Sequence, residues 1–319
     1  MTSPLRPSIL LVAERSLAAD YACVFEGILA AIQTTQIPRI IETRLLAPPV
    51  PVAPDGRARH APLGLRRIES ALRAENTLTA DDVVCTTPEA LPRLLGPWTR
   101  IVAFTSGDPR GLAMSNTTTS AFQYGRLYPR HFTDELLDRL AAARRKWTFK
   151  IVAGGPGSWQ WLREPADPRA DLIDHLCHGY FEAEGPTAFL NLLNNRPMPR
   201  QIRFAGHAGA AVRPLLNPAS LGAVECSRGC GWGCDFCVMA ELPMFHFEPD
   251  LILADLQTNL TGGSPAALST SEDFFRYGGQ GHQVNPDAVI DLVERMGRIP
   301  RLQFMQIDHA NVRSVLQFT

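Results

Sequence analysis

The chain has 319 residues, of which 45% are hydrophobic and 20% are charged, and its formal net charge is −1; it is long enough to bury two medium-sized cores. Acidic and basic residues are interspersed, which is not the pattern of a protein that binds nucleic acid or an anionic membrane surface. No run approaches the roughly 18 consecutive apolar residues of a membrane span, and residues 1–7 carry no secretory signal, so the sequence predicts a cytoplasmic protein with no membrane partner.

Short apolar segments alternate with helical segments in the N-terminal part of the chain. The predicted strands span residues 8–13, 40–46, 82–86, 100–105, 149–153 and 172–177. The predicted helices span residues 21–32, 64–75, 88–95, 134–146 and 184–193. Because strands and helices alternate strictly, the sequence predicts an α/β fold with a doubly wound, Rossmann-like parallel sheet.

Two loops at the carboxyl ends of these strands have residues suited to a ligand, which such sheets bind at that edge. Ser106 opens a Ser-Gly-Asp-Pro loop that leads to a run of serine, asparagine and threonine at residues 115–119. Gly154 and Gly155 open a Gly-Gly-Pro-Gly loop, where missing side chains permit close approach of a ligand. Plain turns and helix caps use the same residues, so a structural role stays open for both loops.

A second α/β region follows a polar segment. Residues 196–215 are predicted to link a first domain, residues 1–195, to a second at residues 216–319. The second domain has predicted strands at residues 221–226, 266–270 and 302–307 and predicted helices at residues 249–260 and 286–296. This repetition is typical of a β/α barrel, of which only the first units are present.

Three cysteines follow the first strand of the second domain. Cys230, Cys234 and Cys237 form a C-x3-C-x2-C pattern in a glycine-rich loop, and soft thiolates at this spacing can hold three irons of a [4Fe–4S] cluster. The fourth iron stays open. A structural zinc site that also uses Cys226 is an alternative, although no second C-x2-C pair is present. Disulfides are a further alternative, which a reducing compartment disfavours, and Cys226 is predicted to end the strand as a small apolar residue.

The cysteine loop resembles that of the radical S-adenosylmethionine (SAM) superfamily, with Phe236 at the aromatic position before the last cysteine. The Glu-x-Ser-Arg-Gly-Cys lead-in that starts at Glu225 resembles the subgroup with an N-terminal cobalamin-binding domain. The resemblance implies that the methionine part of SAM chelates the open iron. It also implies reductive cleavage of SAM to a 5′-deoxyadenosyl radical, used for methylation or rearrangement.

The resemblance extends more loosely over residues 5–195. The Gly-Gly-Pro loop and the run Leu-Ile-Asp-His-Leu-Cys-His-Gly-Tyr-Phe-Glu-Ala-Glu resemble the last units of a cobalamin-binding domain, which implies Ser106, Gly154 and Gly155 as cofactor contacts. The Asp-x-His-x-x-Gly signature of some cobalamin proteins is missing, so no histidine is expected to ligate cobalt. His175 and His178 are predicted to be histidines at the end of a strand with structural roles.

Polar residues at the carboxyl ends of barrel strands face the active-site mouth. Glu272 and Asp273 follow the second strand of the second domain, and Asp308 and His309 follow the third. The resemblance implies that Glu272, Asp273 or Ser271 contacts the amino group of SAM. Helix capping explains the same residues equally well.

The later units of a radical SAM barrel, which contact ribose and adenine, are absent from the sequence. The expected function is a cobalamin-type radical SAM enzyme acting on a small molecule or peptide, with flavodoxin or ferredoxin as electron donor. The missing units predict a completing subunit or a longer chain. Two alternatives stay open, namely a non-catalytic protein that binds a cluster or corrinoid, and an interaction module stabilised by zinc.

Overall fold

The computed structural model describes residues 5–74, 77–113, 124–207, 209–235, 237 and 242–318. The chain forms two compact units, Met1–Gly206 and His207–Thr319, and each is described by itself. Among the residues that the structure describes, no helix combines the length and the hydrophobicity that crossing a bilayer requires.

The first unit contains a parallel sheet of six strands. These are β1 (Ile9–Ala13), β2 (Val83–Thr86), β3 (Ile101–Thr105), β4 (Lys150–Gly154), β5 (His175–His178) and β6 (Gln201–Arg203). Their order is β2-β1-β3-β4-β5-β6 and every pairing is parallel. The order reverses between β1 and β3, and this switch point is where sheets of this type open a ligand crevice at their carboxyl edge.

Helices cover both faces of this sheet. In chain order the helices of this unit are α1 (Val24–Ala31), α2 (Arg39–Ile41), α3 (Leu63–Arg73), α4 (Leu91–Leu94), α5 (Tyr128–Arg144) and α6 (Phe181–Leu193). Alternate residues of β1 serve the two faces: Ile9 and Leu11 pack in a core with α3 and α6, and Leu10 and Val12 in a core with α4 and α5. All five β1 residues are buried, as expected for a strand covered on both faces.

The prediction of a strand at residues 40–46 is wrong. This segment is helical, with α2 followed by a π-helical turn at Glu42–Leu46. Its apolar residues follow helical spacing, with Ile41 and Leu45 four residues apart, and the Thr43 hydroxyl donates to the Arg39 carbonyl at 2.8 Å. A strand here would also have found both edges of β1 occupied, since β2 and β3 pair with it.

Two other elements differ from the predicted ones. The strand predicted to begin at residue 172 begins at His175, because residues Pro168–Leu172 form a 3-10 turn that the Asp167 side chain caps. The edge strand β6 lies inside the segment 196–215 that was expected to link the domains, and it pairs with β5. The boundaries of the domains and the linker stay a prediction.

The second unit contains a parallel sheet of three strands, β7 (Ala223–Glu225), β10 (Ala266–Thr270) and β11 (Phe304–Ile307), in the order β11-β10-β7. A short antiparallel pair, β8 (Ser227–Arg228) and β9 (Phe245–His246), follows β7. The helices are α7 (Pro249–Thr261), α8 (Pro286–Gly297) and α9 (Val312–Phe318). The sequence predicted α7 and α8 but not α9. The Asn285 side chain caps α8 by accepting a hydrogen bond from the Ala288 amide.

One side of the core of the second unit is closed and the other is open to solvent. Buried residues of β7, α7, α8 and β10 form one apolar cluster, among them Val224, Ile252, Leu292 and Ala267. By contrast, Phe304 and Ile307 of β11 are 44% and 38% exposed. The predicted fold class, a doubly wound parallel sheet followed by a partial β/α barrel, is confirmed.

Candidate functional site

The cysteine loop is the tip of the β8–β9 hairpin, immediately after the carboxyl end of β7. Ser227 pairs with His246 and Arg228 pairs with Phe245 at the base of the loop. The amide of Cys230 donates to the Leu242 carbonyl at 2.9 Å, which extends the pairing by one step. The hairpin therefore fixes the place where the first cysteine leaves the sheet edge.

Glycines give the loop the backbone that its path requires. Gly229 has a φ of +79°, and a Cβ there would lie 2.3 Å from the Pro243 carbonyl oxygen, so no other residue fits. Gly231 and Gly233 have φ values of +72° and +69°. The loop therefore enters the left-handed region at three alternate positions around Cys230, a backbone that glycine adopts without strain.

The three cysteines of the loop are accessible thiols. Cys234 is exposed, Cys230 and Cys237 are half-buried, and all seven cysteines of the chain are free of disulfides. The Cys237 amide donates to the Cys234 carbonyl at 3.0 Å. Within the described ranges, no group of three or more His, Cys, Asp or Glu side chains is positioned around a single metal ion. A [4Fe–4S] cluster instead binds each thiolate through a different iron, and three free thiols on one loop fit that donor set.

Cys226 is separate from this set. Its side chain is fully buried in the apolar core with Val224 and Phe247, and it accepts a hydrogen bond from the Ser269 hydroxyl at 3.3 Å. Burial raises the pKa of the Cys226 thiol to about 12. This packing gives Cys226 a structural role as a small apolar residue of the core.

The Cys230 thiol lies in a mixed environment. Partial burial raises its pKa, while the Trp232 backbone N–H and the charge of Arg276 act in the opposite direction. The Arg276 guanidinium donates to the Cys230 carbonyl at 2.7 Å. A cation and an N–H directed at a sulfur both favour its thiolate form, which is the form that binds iron.

Trp232, which lies between Cys230 and Cys234 in the sequence, is packed against two side chains of the loop after β10. Its ring stacks on that of His282, with centroids 4.1 Å apart and planes 7° apart. The Nε2 of His282 lies 2.8 Å from the Gly231 carbonyl, and the Arg276 guanidinium lies 5.1 Å from the Trp232 ring centroid. Sequence reasoning missed Trp232, Arg276 and His282 as part of the site, since no spacing rule connects the loop after β7 with the loop after β10.

The lead-in to the loop is an ion pair. Arg228 binds Glu225 through two nitrogens at 2.6 and 2.9 Å, and its guanidinium lies 5.1 Å from the Phe247 ring centroid. These contacts give both lead-in residues a structural role in anchoring the hairpin. Phe236, predicted at the aromatic position of the motif, lies outside the described residues.

Glu272, Asp308 and His309 lie together after β10 and β11, at the same carboxyl edge as the cysteine loop. Burial raises the pKa of Glu272; the charge of His309 opposes this rise and that of Asp308 adds to it. The His309 Nδ1 lies 3.2 Å from the Asp308 carboxylate, and this hydrogen bond raises the pKa of His309. The result is a carboxyl with raised proton affinity beside a carboxylate–histidine pair.

Asp273 contacts a helix. It is fully buried, one carboxylate oxygen accepts from the Asn311 amide at 3.1 Å, and the other accepts from the Ser314 hydroxyl at 2.6 Å. These are the contacts of a cap on α9. Its predicted contact with SAM stays a prediction.

The carboxyl edge of the first unit holds polar atoms without partners. Among the described residues, Ser106 Oγ, Asp108 Oδ2 and Gln160 Nε2 are buried without a hydrogen-bond partner. Asp108 and Gln160 share one donor, the Leu112 amide, at 2.8 and 3.4 Å. Buried polar groups are normally satisfied, so these are the atoms at this edge that could hold a polar ligand. The neighbouring run at residues 115–119 lies outside the described residues.

The Gly-Gly-Pro-Gly loop after β4 packs against the loop after β3. A Cβ at Gly155, where φ is +82°, would lie 2.1 Å from the Thr105 hydroxyl. One at Gly157 would lie 2.5 Å from the Ser106 carbonyl, whereas one at Gly154 would make ordinary contact with Cys177 at 3.7 Å. The fit between the two loops therefore accounts for Gly155, and a ligand contact at Gly154 and Gly155 stays a prediction.

The two strand-end histidines of the first unit differ. His175 contacts the Pro199 carbonyl through Nδ1 at 2.9 Å, which is a structural role. His178 contacts the Ser158 hydroxyl at 3.1 Å, and its Nε2 is buried without a partner in the described part of the chain. Burial lowers the pKa of His178, with a further contribution from the Arg203 charge.

Comparisons with known proteins support the fold. No protein-family model and no curated protein matches the chain. It is similar in structure to the radical SAM methyltransferase TsrM from Kitasatospora setae, solved with cobalamin and a [4Fe–4S] cluster bound and also with a tryptophan substrate and the SAM analogue aza-SAM bound. Each match has 12% identity and a TM-score of 0.54 and covers 93% of this chain and 54% of the other. The chain thus spans about half the length of the solved structures it matches.

Proposed function

We propose that this chain forms the cobalamin-binding and cluster-binding part of a radical SAM enzyme. The observation that carries the proposal is the set of three free thiols on a glycine-hinged loop at the carboxyl end of β7. The fold match to TsrM, a radical SAM methyltransferase, supports it. When bound, a [4Fe–4S] cluster with SAM supplies reductive cleavage to a 5′-deoxyadenosyl radical, and cobalamin supplies methyl transfer or assists a rearrangement.

Residues of the second unit would have three different roles at this site: binding iron, binding SAM and orienting the substrate. Cys230, Cys234 and Cys237 would hold three irons, and the hairpin would keep the first of them at the sheet edge. Glu272 would accept a hydrogen bond from the amino group of SAM, because its half-buried carboxyl follows β10 at the same edge as the loop. The Asp308–His309 pair would orient the substrate or the nucleoside beside it.

The first unit would bind cobalamin at the carboxyl edge of its sheet. Ser106 and Asp108 offer a hydroxyl and a carboxylate oxygen that have no partner in the described chain, and the amide side chains of a corrinoid can satisfy both. No histidine is assigned to cobalt, because the sequence lacks the Asp-x-His-x-x-Gly signature of the cobalamin proteins that supply one. We propose a small molecule or peptide as substrate and a flavodoxin or ferredoxin as electron donor.

A completing segment, on another subunit or on a longer chain, would cover β11. The strand has no partner on its outer edge among the described residues, and its Phe304 and Ile307 are exposed. Exposed apolar side chains on an unpaired edge strand mark an interaction surface. The completed barrel would exclude water from the site.

Anaerobic reconstitution tests the proposal. We expect iron and acid-labile sulfide in the protein, a cluster absorbance, and a second change in the optical spectrum when hydroxocobalamin is added. Cys234→Ala should lose the cluster, whereas Cys226→Ala, the matched control in the core, should keep it. Stoichiometric zinc without sulfide would favour the zinc-stabilised module, and both cofactors without 5′-deoxyadenosine under strong reductant would favour the non-catalytic protein.

A further inference from the structure

Arg276 joins the cysteine loop to the loop that follows β10. Its side chain is 2% exposed and lies at the end of the 3-10 turn Phe274–Arg276. Nη1 donates to the Cys230 carbonyl at 2.7 Å, and Nε donates to the Gly281 carbonyl at 3.1 Å, with Nη2 on the same oxygen. One planar guanidinium therefore holds the first cysteine and the second loop in a fixed relation.

The positive charge of Arg276 has no carboxylate partner within ion-pair distance among the described residues, since its hydrogen bonds go to carbonyl oxygens. Arg228 differs, because it pairs with Glu225. Burying a cation without a counter-charge is unfavourable. An anionic ligand bound near Arg276 would supply that counter-charge.

A cluster on three thiolates is such a ligand. It is anionic when oxidised, and it gains a further negative charge on reduction. A fixed, buried cation at the Cys230 carbonyl stabilises the reduced state more than the oxidised state. The cation therefore raises the reduction potential.

The Trp232 contacts reinforce this arrangement. The Arg276 guanidinium lies 5.1 Å from the Trp232 ring centroid, and His282 stacks on the same ring while contacting the Gly231 carbonyl. The guanidinium of Arg313 also lies near this ring, at 5.7 Å, but its side chain is exposed. Solvent screens the charge of Arg313, which makes this residue a matched control.

We propose that Arg276 is a positioning residue that fixes the Cys230 end of the cysteine loop and sets the reduction potential of the cluster through its buried charge. This inference rests on the proposed cluster. The Arg276 side chain thus has two roles: its guanidinium hydrogen bonds position the loop, and its charge sets the potential. Arg276→Lys removes the guanidinium and keeps the charge, whereas Arg276→Gln removes both.

The experiment compares Arg276→Gln, Arg276→Lys and Arg313→Gln with the unsubstituted chain after anaerobic reconstitution. Redox titration followed by paramagnetic resonance gives the midpoint potential. We expect Arg276→Gln to make reduction at least tenfold less favourable, which equals a shift of about 59 mV to more negative potential for a one-electron couple. Arg276→Lys, which keeps the charge, should stay close to the unsubstituted chain, and so should Arg313→Gln.

A second readout uses the protein without a cluster. Hydrogen exchange at the amides of Cys230 and Gly231 should be faster in both Arg276 variants, because each lacks the guanidinium fork, and unchanged in Arg313→Gln. This readout tests the positioning role even if the unsubstituted chain takes up no iron, a result that would reject the proposed function alone.

Each remaining outcome decides the inference. Equal potentials in Arg276→Gln and the unsubstituted chain overturn the charge role, and equal exchange rates overturn the positioning role. If Arg276→Gln does not fold, Arg276→Lys decides: an unchanged potential supports the inference and a strongly negative one overturns it. If neither folds, Arg276 is a determinant of the fold and the assignment is rejected.

Discussion

Replacing Asp273 by alanine should release α9 from the second unit. The carboxylate accepts hydrogen bonds from the Asn311 amide and the Ser314 hydroxyl, and each bond to such a group contributes roughly 1.5–3 kcal/mol. The helix has seven residues, too few to be stable alone. We expect Asp273→Ala to lower the free energy of opening of α9 by about 3 kcal/mol, which equals roughly a hundredfold faster amide exchange at residues 312–318.

Hydrogen exchange followed by mass spectrometry measures this opening without assuming that the two units unfold together. Ser314→Ala should lose about 2 kcal/mol, and the double variant should add little to Asp273→Ala because the two side chains share one bond. Asp287→Ala, at an exposed first-turn position of α8, is the control and should change exchange there by less than about 1 kcal/mol. Unchanged exchange at residues 312–318 together with loss of SAM binding would refute the capping role and support the cofactor contact.

Three further outcomes follow from buried or exposed side chains. Burial raises the pKa of Glu14 to about 8, so the folded protein loses stability as pH rises from 4.5 to about 8. The loss in the free energy of unfolding is at most about 5 kcal/mol. Glu14→Gln should make the thermal midpoint less dependent on pH over this range, and an equally steep pH dependence would contradict the assignment. Ser106→Ala should keep or raise the thermal midpoint, because it removes a buried hydroxyl without a partner. The same variant should bind hydroxocobalamin more weakly in an optical titration. Lost stability with unchanged binding would count against the ligand site. Phe304→Lys, on the exposed edge strand, should change the free energy of unfolding by less than about 0.5 kcal/mol. It should also reduce self-association measured by sedimentation velocity. If the chain associates and this variant sediments in the same way, β11 is not the surface through which it associates.

The continuous apolar strands made the sheet of the first unit predictable. β1 and β3 are buried at every residue, and such runs leave a strong signal in the sequence. The strand prediction for residues 40–46 was wrong because a short run of apolar residues is compatible with both a strand and a helix. The tertiary environment decided for the helix, since β2 and β3 already occupy both edges of β1.

The cysteines were predictable and their surroundings were not. The spacing of Cys230, Cys234 and Cys237 is local, and the sequence contains it in full. The contact of Arg276 with the Cys230 carbonyl joins residues 46 positions apart. The choice between a cap and a cofactor contact at Asp273 likewise depended on α9, a short helix that periodicity did not predict.

The most direct test of the central claim is paramagnetic resonance of the reduced, anaerobically reconstituted chain with and without SAM. If three thiolates of the loop leave one iron open, the spectrum of the cluster changes when SAM is added, and Cys234→Ala gives no cluster signal. Protein that contains no iron, or a cluster spectrum that SAM leaves unchanged, would contradict the account.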